Sequence, residues 1–183
     1  LDPGTLTPAN DVQTVVPAGS TWSYLYNADG PSGAWTGVNY DASSWASGAA
    51  PIGWGQASLG TTLTTNLATK PLTSFYRKTF QVADMTKVVK LGITTRADDG
   101  VAVYVNGTEV KRVNMDPGPD GVNVYANLAV SASAALANPV VFDVPGDLLV
   151  NGTNVITASV HSNYRTTPSH SFELEAIATL SGD

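Results

Sequence analysis

The chain has 183 residues, a net charge of −6 and no cysteine. That length gives one domain with a sizeable core, and the missing thiols exclude disulfides, thiolate metal sites and thiol catalysis. The nine basic residues are scattered, which argues against nucleic acid and anionic membrane surfaces as partners. Charged residues are only 13% of the chain, against about a quarter in an average domain. Ser, Thr, Asn and Gly fill the gap, as in a β-rich domain with a neutral, hydroxyl-covered surface, a composition common among secreted bacterial proteins. No apolar run approaches the roughly 20 residues that span a bilayer. Because it opens at Leu1 without Met, the chain is expected to be a piece of a longer protein, with a mature form as the alternative.

Residues 1–18 contain Pro3, Pro8 and Pro17 and read as a linker or edge-strand lead-in, with a short strand at 12–16. Residues 19–183 read as one domain. The alternation at 20–26 predicts a strand with Trp22, Tyr24 and Tyr26 on one face. Asp41 can cap a helical turn that folds Trp45 inward. Trp54, between Gly53 and Gly55, sits under a tight loop or on display. Residues 56–74 read as a long loop with a fragment of strand. Strands follow at 75–82, 88–95, 101–105, 109–114, 139–144, 155–161 and 171–180, and the stretch 122–130 reads as extended. Residues 132–137 form a helical turn. In the last strand Phe172, Leu174, Ala176 and Ala178 share one side.

This is about eight to ten strands with almost no helix and no βαβ alternation, so two packed antiparallel sheets are expected. The clearest local signal is the hairpin from Asp98 to Val110. Asn106-Gly107 suits a type I′ turn, because both residues tolerate positive φ. Val-Asn-Gly-Thr occurs at Val105 and again at Val150. Turn chemistry explains both copies without an internal repeat.

Read together, several motifs resemble a galactose-binding-like jelly-roll domain of the kind appended to secreted bacterial enzymes and surface proteins. They are Trp22-Ser23-Tyr24, Trp35, Tyr40-Asp41-Ala42-Ser43-Ser44-Trp45, Ala50-Pro51-Ile52-Gly53-Trp54-Gly55 and Phe75-Tyr76-Arg77-Lys78-Thr79-Phe80. Further along come Asp98 to Gly107, Arg112-Val113-Asn114-Met115, Gly152 to Ile156 and Val160-His161. The resemblance covers about residues 20–180. It implies an all-β, two-sheet antiparallel β-sandwich of jelly-roll type. It transfers no catalytic residue, and it implies a structural calcium only loosely.

Catalysis finds little support in the residues. Asp98 and Asp99 are adjacent, so in extended backbone their side chains diverge and do not form the facing pair a glycosidase needs. Glu173 or Glu175 has no spacing that would complete a pair. His161, Tyr164 and Arg165 lie close in sequence, as a jelly-roll lyase would want, but no basic groove accompanies them. Two readings remain for Asp98 and Asp99. One caps the turn and pairs with Arg77 or Arg96; the other binds Ca²⁺ through both carboxylates and loop carbonyls.

Sugar recognition calls for exposed aromatic rings beside planar polar groups. Trp54, Tyr125 and Tyr164 are the display candidates, with Arg96, Asp98, Asp99, Asn114 and Arg165 as polar partners. Hairpin pairing puts Arg96, Asp99, Asn114 and the loop 115–121 on one rim. The sequence reading is a non-catalytic carbohydrate-binding accessory module, secreted or at the cell surface. Its expected partners are a polysaccharide or glycan and the other domains of a parent chain. The rival is an adhesion or structural spacer domain, and a polysaccharide-degrading jelly-roll enzyme comes third.

Overall fold

The structure, a computed structural model, describes residues 11–64 and 70–182. The first ten residues of the lead-in, and 65–69 of the long loop, lie outside them. The strands are β1 (Asp11–Val16), β2 (Thr21–Leu25), β3 (Ala46–Ala49), β4 (Ile52–Trp54), β5 (Thr61–Thr62) and β6 (Thr73–Val82). They continue with β7 (Val88–Asp98), β8 (Gly100–Val105), β9 (Thr108–Val113), β10 (Val140–Pro145), β11 (Gly152–His161) and β12 (His170–Leu180). A short α-helix, α1 (Ala132–Ala137), precedes β10, capped by the Ser131 hydroxyl, which accepts from Ala134 N. No helix among the described residues is long and apolar enough to cross a membrane.

The strands form two six-stranded sheets. The first runs β10-β7-β12-β4-β5, with β1 also on β12, and the second runs β3-β2-β6-β11-β8-β9. Every pairing is antiparallel except β4 with β5. This is the expected two-sheet β-sandwich. Alternation decides what faces the interior. Phe172, Leu174, Ala176 and Ala178 from β12 meet Tyr76 and Phe80 from β6, Val101, Val103 and Val105 from β8, and Trp22 from β2, all buried. Phe172 is the centre of this packing, stacked on Tyr76 at 4.1 Å and edge-on to Trp22 at 5.0 Å.

The Asn-Gly hairpin forms as read. Asn106 has φ 48° and Gly107 φ 85°, and Val105 pairs with Thr108 across the turn. The second Asn-Gly copy leads into β11. The Asn106 amide donates to Asn154 Oδ1 at 2.8 Å, so the two turns are clasped together.

The two sheets differ on their outer faces. On the second sheet, the outward side chains Phe75, Arg77, Tyr104, Ser159 and His161 are covered by loops 26–45 and 114–130. Trp35 packs on Phe75 and Tyr104 at 5.1 and 5.7 Å. The stretch 122–130, expected to be extended, joins no strand. It is a run of turns, because its backbone bonds go elsewhere: Ala126 N to Ser162 O and Asn127 N to Asn114 O. On the first sheet, Val12 and Val141 stand 70% and 68% exposed.

Candidate functional site

The chain leaves β7 in one sheet and enters β8 in the other through Asp98-Asp99-Gly100. Gly100 is required at this corner, because a Cβ there would lie 2.8 Å from the Met115 side chain. The peptide between the two aspartates is cis. This corner departs from the extended-strand expectation: Asp99 stands near enough to help raise the Asp98 carboxyl. The backbone is changing sheets here, so strand alternation does not apply.

Both aspartates are buried, at 0% and 3% exposure. Asp99 caps the neighbouring loops through its two oxygens, accepting from Val130 N at 2.5 Å and Asn163 N at 2.8 Å. Asp98 accepts from the Ser169 hydroxyl at 2.5 Å. Burial, and then the contact with Asp99, push the Asp98 carboxyl up to about 7, although the Ser169 bond pulls the other way. Asp98 Oδ1 has no hydrogen-bond partner among the described residues.

Neither half of the first reading forms: Asp99 accepts from amides 31 and 64 residues away and not from its own turn, and among the described residues no ion pair joins an aspartate of this corner to Arg77 or Arg96. Arg77 donates to the carbonyls of Trp35, Gly37 and Tyr40, and Arg96 Nε donates to Leu136 O. The calcium reading does not fit these donors either. Three of the four carboxylate oxygens already accept from amide or hydroxyl hydrogens, and among the described residues no three His, Asp or Glu side chains converge. EDTA is expected to leave the melting midpoint unchanged, and a calcium-dependent rise of several degrees would contradict this donor assignment.

Beside the corner lies a buried polar network that sequence reading missed. His161 Nδ1 lies 2.7 Å from Val124 O, and its Nε2 lies 2.9 Å from Asp120 Oδ1. Asp120 Oδ2 accepts from Ser159 at 2.5 Å and from the Tyr104 hydroxyl at 2.9 Å. Burial raises the Asp120 carboxyl, but His161, Ser159 and Tyr104 together outweigh it and hold the group below the usual carboxylate range. His170 lies between Ser74 at 2.6 Å and Ser162 at 2.8 Å. Complete burial drives its imidazole down to about 3. The i, i+2 spacing of Ser159 and His161 on one strand face was a sequence signal. Asp120 arrives from a loop and left none.

The predicted site residues divide into three places. Asn114 joins Asp99 at the rim, donating to Asp99 O at 3.4 Å and Leu128 O at 2.7 Å. Arg96 is not there; it lies in β7 of the other sheet, opposite Glu173. Trp54 is not on display. It is 6% exposed, stacked on His170 at 6.0 Å and covered by the Lys70 ammonium at 3.8 Å. Its flanking glycines explain the error: a Cβ at Gly53 or Gly55 would collide with the carbonyl of His170 or Pro168, so they mark close backbone approach.

Tyr125 and Tyr164 are exposed, at 49% and 42%. Their loops run side by side, tied by Ala126 N to Ser162 O at 3.1 Å. Arg165 donates to Lys70 O and to Asn123 Oδ1 at 3.1 Å, which holds its guanidinium along the same rim. The lyase-like grouping of His161 with Tyr164 and Arg165 does not form, because His161 is fully buried and turned toward Asp120. What remains accessible is two phenol rings beside a fixed guanidinium and an amide, a surface suited to binding.

No protein-family model matches the chain, and no curated protein matches it by sequence. Solved structures match by fold. A β-glucuronidase from Bacteroides uniformis is 16% identical with a TM-score of 0.56, over 92% of this chain and 18% of that one. An uncultured Clostridium sp. β-glucuronidase is 14% identical with a TM-score of 0.54, over 96% and 30%. A glycosyl hydrolase family 2 member from Bacteroides cellulosilyticus is 16% identical with a TM-score of 0.54, over 91% and 20%. The chain thus has the fold of a segment spanning less than a third of each of these larger chains.

Proposed function

We propose that the chain is a non-catalytic carbohydrate-binding module of a larger secreted carbohydrate-active protein, and that the glycan lies across Tyr125, Tyr164 and Arg165. The carrying observation is the exposure of these two rings in a molecule that buries Trp22, Trp54, Tyr76 and Phe172. A phenol face offers apolar area to a sugar ring at little entropic cost. Arg165 and Asn123, already held by each other, are placed to bond hydroxyls without further ordering. The fold likeness to part of several glycosidase chains supports a place beside other domains, and galactose-binding-like jelly rolls serve such accessory roles.

A glycan array with the isolated chain tests this. Binding to at least one plant, algal or microbial polysaccharide is expected. Tyr125→Ala and Tyr164→Ala should each weaken it about tenfold, as expected for loss of one stacking ring. Silence across the array overturns the proposal. The second reading, a spacer packed against parent domains, is favoured by the bare outer face of the first sheet around Val12 and Val141.

A further inference from the structure

Arg77 lies in β6 on the outer face of the second sheet, opposite Ser23 of β2. It is 5% exposed, and no carboxylate pairs with it among the described residues. Both hydrogens of Nη1 go to Trp35 O and Gly37 O. Nη2 reaches Tyr40 O at 3.4 Å, and Nε has no acceptor among the described residues. The guanidinium faces the Tyr40 ring at 5.1 Å. Burial lowers its pKa, as it must when charge lies under cover without a counter-ion.

Arg77 lines a cavity of about 290 Å³ together with Lys78, Tyr40, Thr21, Ser23 and Ser47. Lys78 Nζ donates to Thr21 O at 3.0 Å and has two further hydrogens to give. Among the described residues no acidic side chain lines this cavity. In a chain of net charge −6 with only nine basic residues, two basic residues line this one cavity. A guanidinium with a free Nε edge offers the planar fork that suits a carboxylate. The hydroxyls of Thr21, Ser23 and Ser47 offer both donors and acceptors. The volume is at the lower end of ligand pockets, roughly 300 Å³ upward, room for one ring and not a chain.

We propose that this cavity is a second binding site, for a sugar residue that carries a carboxylate. The carboxylate lies against Arg77 and Lys78, the ring hydroxyls meet Ser23 and Ser47, and Tyr40 flanks the ring. The inference rests on the reading of the chain as a glycan-binding module, but at a place separate from the loop rim.

Amide NMR of the whole chain, titrated with glucuronate, galacturonate, glucose and acetate, tests it. The uronates are expected to shift the Ser23, Tyr40 and Ser47 signals, and glucose is not. Lys78→Gln should weaken uronate binding roughly tenfold, the usual cost of losing one charged hydrogen bond. Because Arg77 also holds the loop at 35–40, Arg77→Lys is the companion variant: it keeps the charge, loses the fork and should bind more weakly than the parent. No uronate shifts at these residues, equal shifts with glucose, or acetate binding as tightly as the uronates would overturn the site. Shifts confined to Tyr125 and Tyr164 would count for the rim and against this cavity, so the two readings fail separately.

Discussion

Phe172→Ala lowers the stability of the chain by about 3–5 kcal/mol, the range for removing a fully buried phenylalanine. Phe172 has no exposed surface and holds Tyr76 and Trp22 from the opposite sheet. Its removal takes away one of the central contacts through which the two sheets meet. Sheets are stiff, so the void does not collapse, which places the loss toward the upper end. In urea the midpoint should fall with the slope unchanged, and the melting temperature should drop by about 10 °C. A loss below 1 kcal/mol would mean that the sheets meet elsewhere. Phe172→Leu should recover much of it.

Asp98→Asn is expected to stabilise the protein at pH 8 and to change the shape of its pH profile. In the folded chain Asp98 keeps its proton up to about 7, whereas its ordinary value is 3.8. Between these values the folded state holds a proton that the unfolded state has lost, so Asp98 costs stability as pH rises from about 4 to 7. His170 acts in the opposite sense. It stays neutral down to about 3, against an ordinary 6.5. The unfolded chain gains that proton as pH falls through 6.5, so His170 costs stability on the acid side. Over the shared window the two slopes oppose each other and the parent profile should be nearly flat between pH 4.5 and 6.5, the approximate overlap of the two shifts. Asn in place of Asp98 keeps an acceptor for Ser169 and removes one slope. The variant should gain stability at pH 8 and lose it steadily below pH 6.5. A profile parallel to the parent's would mean that Asp98 ionises normally.

Most strands and the hairpin were legible because they depend on local rules, whereas β3 and β4 were not read. Alternating residues fix a face, and Asn106-Gly107 accepts the backbone its turn needs. The same rules misled where the chain leaves the sheet. Asp98 and Asp99 were read as strand residues with opposed side chains, yet they sit at a corner between sheets. The stretch 122–130 has strand-like composition, but Asn114, Asp99 and Ser162 take its backbone bonds. Trp54 looked displayed because its glycine neighbours give no cover of their own; β12 supplies the cover from more than a hundred positions away. Asp120 and His161 meet only in the fold, so their network had no sequence signature beyond the spacing of Ser159 and His161. Tyr125 and Tyr164 were placed correctly, because an aromatic residue in a polar loop with no partner pattern tends to remain outside.

The loop from Asn114 to Val130 contains no helix or strand, yet it is tied down at both ends and along its length. Asn114 grips Leu128, Asp120 and Val124 are held by His161, and Asp99 holds Val130. A protease must draw several consecutive residues into its cleft, and these ties leave no long free run to draw. Such an anchored segment resists nicking as the body of a domain does. Limited proteolysis of the chain is expected to leave the segment from Asn114 to Val130 uncut.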